Sequence, residues 1–182
     1  GIQLNHRMYV LKGSTNNPQD EFVFQGRLEV GDNFSIDGVP FTAPDGNLYF
    51  VWSGSFANNN NQGNGIYIAK MASPTEMETP GKRIFISEPI NDWEQVGSST
   101  NEAPTVLVKN DVVHIFFSAS TAFCKDYCIG RITCTDGDVL NPASCTKTGP
   151  LFSYSEEKEV WGPGSCCFTT SPDGKETWMV YH

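Results

Sequence analysis

Helical periodicity is nearly absent from the 182 residues, and with it any expectation of a helical or α/β fold. Positive charge is scarce: 12 Lys and Arg stand against 21 Asp and Glu, for a formal net charge of −9. A surface this acidic repels phosphate backbones and anionic lipid, which sets nucleic-acid and membrane partners aside. No uninterrupted apolar run approaches the length of a transmembrane helix. Charged residues make up only 18%, yet aromatics reach 12%, so the composition is not that of a disordered chain. Cysteine is missing from the first 123 residues, and all 6 lie between Cys124 and Cys167.

What the chain does contain is a series of short aromatic and β-branched runs. They are Met8–Leu11, Asn47–Trp52, Gly65–Ala69, Val112–Phe117 and Thr177–Tyr181, separated by Gly, Pro, Asn and Asp. This pattern predicts an all-β domain with polar connections, the Asn-rich stretch Ala57–Gly65 being one of them. A strand–turn–strand unit recurs. Phe41–Ser53 turns at Asp45-Gly46, Val106–Ser118 at Asn110-Asp111, and Phe168–Tyr181 at Asp173-Gly174. The turns are 110 − 45 = 65 and 173 − 110 = 63 residues apart, a period that fits the blades of a β-propeller. The alternative is three unrelated hairpins. At roughly 64 residues per blade the chain supplies about three blades, fewer than the four to eight that close a ring. Residues 1–182 are therefore expected to be part of a single β-propeller catalytic domain. A second chain, a processed partner or a further segment would complete it.

Six gathered cysteines favour disulfides and an oxidising compartment, hence secretion. Cys124 with Cys128 and Cys134 with Cys145 are the local pairings. Adjacent Cys166 and Cys167 would point to opposite faces of a strand, which disfavours a bridge between them. A zinc site would need a second matched pair beside Cys124 and Cys128, and none follows. Asn33-Phe34-Ser35 is the only glycosylation sequon.

Three residues sit eight positions before the three turns: Asp37, Glu102 and Ser165. Each falls at the first strand of its repeat, and innermost blade strands line the axial channel of a propeller. Two carboxylates can thus converge on one mouth. Glycosidic bond cleavage requires such a pair, one protonated to deliver a proton to the leaving oxygen and one ionised. Ala103 and Pro104 offer Glu102 little hydration, and a nearby Asp37 charge would raise its pKa further, which suits an acid. The competing reading has Asp37 and Glu102 capping turns. Trp52, Phe56 and Trp161 are candidate sugar-stacking platforms, and Ser165 is a further candidate substrate contact. Tyr49, Phe50, Phe116 and Trp178 are expected in the core between blades.

The chain resembles glycoside hydrolase family 43, especially its secreted α-L-arabinofuranosidases and arabinanase-like members. The resemblance is carried by His6–Leu11, Ser35–Phe41, Asn47–Gly54, Ile66–Met71, Asn101–Pro104, Phe117–Ser120, Trp161–Gly164 and Phe168–Gly174. It implies a five-bladed propeller that hydrolyses with inversion through three central carboxylates. Glu102 matches the general acid, and Asp37 matches the carboxylate that holds and tunes it. The general base, an Asp of the first blade, has no counterpart, so the chain is expected to be a poor hydrolase without the remaining blades. No cofactor is required. Family members with His after Gly-Pro-Gly sometimes link it to a bound Ca²⁺ or Na⁺, and here that position is Ser165. Ala103 stands where Gly is common. The implied partner is arabinose- or xylose-containing polysaccharide. Exo-arabinanase, β-xylosidase and a non-catalytic carbohydrate-binding propeller are the alternatives.

Overall fold

The computed structural model describes residues 5–56 and 63–182, so residues 57–62 of the expected Asn-rich connection lie outside the described residues. Thirteen strands are described. A two-stranded sheet pairs β1 (Tyr9–Gly13) with β2 (Phe22–Arg27). A larger sheet runs β3 (Ser35–Thr42), β4 (Leu48–Ser55), β5 (Asn64–Ser73), β6 (Glu76–Met77), with β7 (Ile84–Ser87) also on β5. The next is a four-stranded meander of β8 (Asn101–Lys109), β9 (Val112–Ala119), β10 (Cys128–Cys134) and β11 (Cys145–Phe152). A last pair joins β12 (Cys167–Thr170) to β13 (Thr177–Val180). All ladders are antiparallel. The all-β expectation and the three repeated hairpins are present, but as two full sheets flanked by two short ones rather than three equal blades.

Burial explains why the central strands are continuous apolar runs. Successive side chains of β4 enter opposite faces: Tyr49 and Val51 one cluster, Phe50 and Trp52 another. The first cluster is shared by the two large sheets, with Val51, Ile66 and Ile68 facing the side of Val113, Ile115 and Phe117. Each such side chain contributes about 1.5–3 kcal/mol by leaving water. The second cluster packs Trp52 and Tyr67 under Leu28 and Val30. The β8–β9 turn has Asn110 and Asp111 both left-handed (φ 52° and 61°), as a two-residue hairpin requires. Trp178 departs from expectation at 51% exposed. On its sheet it is Phe168 that packs on Phe116, at 4.6 Å between ring centres, and Trp178 lies on the opposite face.

Cys134 and Cys145 are bonded, tying the end of β10 to the start of β11. Cys124 and Cys128 are not. Cys128 turns inward, its thiol on the Trp93 carbonyl, while that of Cys124 donates to Thr121. Cys166 is buried and Cys167 exposed, on opposite sides of the chain as expected.

The segment leading into β8 crosses the face of the second sheet. Trp93 lies on Phe117, 6.0 Å between ring centres, and passes so close to Gly130 and Gly149 that neither could carry a side chain. Next to it Glu94 is completely buried (0% exposed) on the 3₁₀ turn Asp92–Glu94. Its carboxylate accepts from the Ile90 and Asn91 amides at 3.0 and 2.9 Å and from Asn101 Nδ2 at 2.9 Å. The β11 residue Lys147 supplies the countercharge at 2.7 and 2.9 Å. Inner strand β8 and outer strand β11 are thereby held through one anion. Breaking a buried pair strands a charge, so Lys147→Met is expected to cost about 3–5 kcal/mol in urea denaturation. The double change Glu94→Gln with Lys147→Met should cost less than Lys147→Met alone.

Candidate active site

Both inner strands interrupt their ladders at the same place. In the first sheet Ile36 pairs with Ser53 and pairing resumes at Val39 with Val51. In the second, Glu102 pairs with Ser118 and pairing resumes at Thr105 with Phe116. The last hairpin repeats the device. Gly164 and His182 exchange backbone hydrogen bonds of 2.9 and 3.1 Å, and pairing resumes at Cys167 with Val180. Each is a β-bulge, in which one extra residue re-aims the chain. The residue after the break is left-handed in every case: Asp37 (φ 57°), Ala103 (φ 45°) and Ser165 (φ 48°). Such a conformation costs a non-glycine residue about 1–2 kcal/mol, which accounts for Gly being at ease where Ala103 stands.

This register corrects the counting from the turns. Asp37 is equivalent to Ala103, not to Glu102, which falls one position earlier opposite Ile36. The hairpin loops differ, spanning 43–47 in one and Asn110-Asp111 in the other, so distance from the turn is not conserved. The two carboxylates nevertheless meet at the sheet junction. Asp37 Oδ2 accepts from the Ala103 amide at 3.0 Å, directly beside Glu102. At the next junction the equivalent amide, that of Ser165, donates to Ser118 Oγ at 2.7 Å. Ser53 Oγ donates to the Asn101 carbonyl at 3.0 Å, and Ser87 Oγ to Asn101 Oδ1 at 2.7 Å. Asn101 is also a donor to Glu94, so the residue before Glu102 is held on three sides.

Glu102 has one further partner, which sequence reasoning missed. Tyr127 donates its hydroxyl to Glu102 Oε1 at 2.8 Å. The tyrosine ring is held against Gly164, where no side chain fits, and is stacked on His182 at 6.4 Å. No spacing signal announces it, because Tyr127 comes from the connection between β9 and β10. Burial raises the Glu102 pKa, the Tyr127 hydrogen bond lowers it, and the Asp37 charge raises it again. Crowding by the strands raises the Asp37 pKa against the lowering effect of the Ala103 hydrogen bond, although one edge of that residue stays open to solvent. Burial first, then the Glu102 charge, pushes the Tyr127 hydroxyl far up, so it remains a donor at any ordinary pH.

The remaining candidates scatter. Trp52 is 1% exposed and stacked on Tyr67 at 5.7 Å, so it has no face for a sugar. Its strand is covered on both sides, which an isolated aromatic motif does not reveal. Phe56 is half-buried at the end of β4 and packs on Phe85 at 5.9 Å. Trp161 is 58% exposed beside Tyr154, with 4.9 Å between ring centres. Ser165 is exposed at the junction just described. Among the described residues no group of three or more His, Cys, Asp or Glu could hold a metal ion. Ser165 brings one hydroxyl to the junction, and its amide donates to Ser118 Oγ.

Two substitutions separate the influences on Glu102. Tyr127→Phe removes a donor to the ionised form and is expected to raise the Glu102 pKa, whereas Asp37→Asn removes a neighbouring charge and is expected to lower it. Carboxyl ¹³C titration of Glu102 by NMR reads both directions. Since both carboxyls are raised in the folded state, fold stability should fall as pH climbs from the ordinary carboxylate range through the raised values.

Residues 2–182 match the family described as Glycosyl hydrolases family 43. The chain is 34% identical over 180 residues to the α-L-arabinofuranosidase 43 of Humicola insolens, covering 97% of this chain and 37% of that protein. It is 37% identical over 181 residues to the extracellular exo-α-(1→5)-L-arabinofuranosidase of Streptomyces avermitilis, covering 97% and 36%. The crystal structure of the α-L-arabinofuranosidase from Lactobacillus brevis superposes with a TM-score of 0.88 at 32% identity, covering 97% of this chain and 55% of that one. The chain thus spans little more than a third of these two curated relatives and about half of the solved one. With a family match over nearly its whole length, and with Asp37 and Glu102 meeting at one sheet junction, the chain belongs to glycosyl hydrolases family 43.

Proposed function

We propose that this chain is the acid-bearing part of a secreted, inverting glycoside hydrolase that releases α-L-arabinofuranosyl residues from arabinose-containing polysaccharide. The observation that carries this reading is the junction itself. Glu102 lies in a partly dry setting that favours its protonated form, with Asp37 locked to the next amide and Tyr127 on its other side. A carboxyl whose protonated form is favoured can hand its proton to a leaving glycosidic oxygen. Asp37 is then the positioning and tuning carboxylate, and Trp161 and Phe56 are the aromatic contacts with sugar. Inversion also needs a base about 6.5–9.5 Å from the acid to activate water. That base comes from further blades of a five-bladed ring, to which residues 1–182 contribute one continuous part. The similar curated proteins are much longer than this chain, and that supports the division.

In the assembled ring, Glu102→Gln is expected to lower kcat on arabinan by about 10²–10⁴-fold. The loss should shrink on a dinitrophenyl arabinofuranoside, whose leaving group departs without a proton. Equal losses on both substrates would overturn the acid assignment. Proton NMR of the first product should show the anomer of inverted configuration, and chain 1–182 by itself should turn over far more slowly than the ring.

A further inference from the structure

One aromatic in this fold has no packing role. Phe123 is 98% exposed, yet the connection that carries it is anchored at both ends. Ser120 and Thr121 donate to the Thr100 and Val96 carbonyls at 3.1 and 3.0 Å, and Tyr127 closes the turn on Cys124 at 3.3 Å. Its exposure does not come from an uncovered sheet face, since β8 of the same sheet contacts β3 and β4 on one side and β12 on the other. The register places the connection at the Glu102 end of the sheet, because Ala119 pairs with both Asn101 and Cys128.

A second exposed aromatic, Trp161, lies on a segment whose backbone touches this connection. The Cys124 carbonyl approaches Gly162 to 2.7 Å of where a side chain would begin, and Gly162 donates to the Lys125 carbonyl at 3.0 Å. Phe123 and Trp161 are the residues immediately before these two touching positions. Tyr154 backs Trp161, and Lys125 covers the Tyr154 ring at 4.3 Å. Tyr154 also lines a recess of about 250 Å³ together with Asp126 and Ser153. Exposed flat apolar faces suit a carbohydrate chain, whose C–H faces stack on them.

We propose that Phe123 and Trp161 form a platform for the part of the pentose chain on the leaving-group side of the bond that is cleaved. This rests on the reading of Glu102 as the acid. A proton donor faces the leaving oxygen, so what borders the donor meets the leaving group, and the loop of Phe123 touches Glu102 through Tyr127.

The test measures binding of α-1,5-linked arabinotriose and of free arabinose by calorimetry to the assembled ring, kept from cleaving by Glu102→Gln. Phe123→Ala removes a side chain that packs on nothing, so folding is undisturbed. It is expected to weaken arabinotriose about tenfold while leaving arabinose unchanged, with Phe123→Trp restoring the affinity. Trp161→Ala should act in the same direction. Triose binding unaffected by Phe123→Ala overturns the platform while leaving the hydrolase reading standing, and so does an equal loss for both sugars. An assembled ring with Phe123 intact that binds neither sugar overturns the hydrolase reading, and the platform with it. If Phe123→Ala instead changes the oligomeric mass with triose binding intact, the residue serves a second copy of the chain and the proposal fails.

Discussion

Each of the three repeated hairpins carries one extra residue on its first strand, and the residue that absorbs it is left-handed. An uninterrupted ladder would send side chains alternately to the two sheet faces, and a carboxylate there would enter the apolar cluster between sheets. The bulge breaks that alternation. It turns the Asp37 side chain toward the neighbouring strand and presents the Ala103 amide to it, so that a polar contact is made where the two large sheets meet.

Such a junction is costly unless every exposed donor and acceptor finds a partner. The chain meets this with small hydroxyls and one buried anion. Ser53, Ser87 and Ser118 take up the backbone and amide groups on either side of the bulges. Glu94 gathers two backbone amides, Asn101 and Lys147. Glu102 has the Tyr127 hydroxyl as a hydrogen-bond partner and the Asp37 charge nearby, so its protonation is governed by the site rather than by solvent. The rigidity of the surrounding strands is what allows two raised carboxyls to persist side by side.

Much of the fold was legible because β4 and β5 are buried on both faces and read as apolar runs, while β9 buries alternate residues. The Asn110-Asp111 and Asp-Gly turns were legible for a different reason, their residues tolerating left-handed backbone. Strand β2 left no signal, since its first four residues are exposed and their composition follows no alternation. The Cys134–Cys145 bond was found because its partners flank a short reversal. Cys124 and Cys128 are nearer in sequence, 128 − 124 = 4 residues against 11, yet their thiols point to different carbonyls. Nearness in sequence did not decide which pair is bonded.

The sequence by itself determined the strand and turn content, the acidic balance of charge, and the two carboxylates offered as candidates, because these depend on residue type and local spacing. Only the tertiary structure decided that Trp52 is core, that Asp37 shares its register with Ala103 rather than Glu102, and that Tyr127 reaches Glu102. Those facts depend on how separate sheets pack against one another. Side-chain periodicity ends at the edge of each strand and carries no information about what lies across the junction.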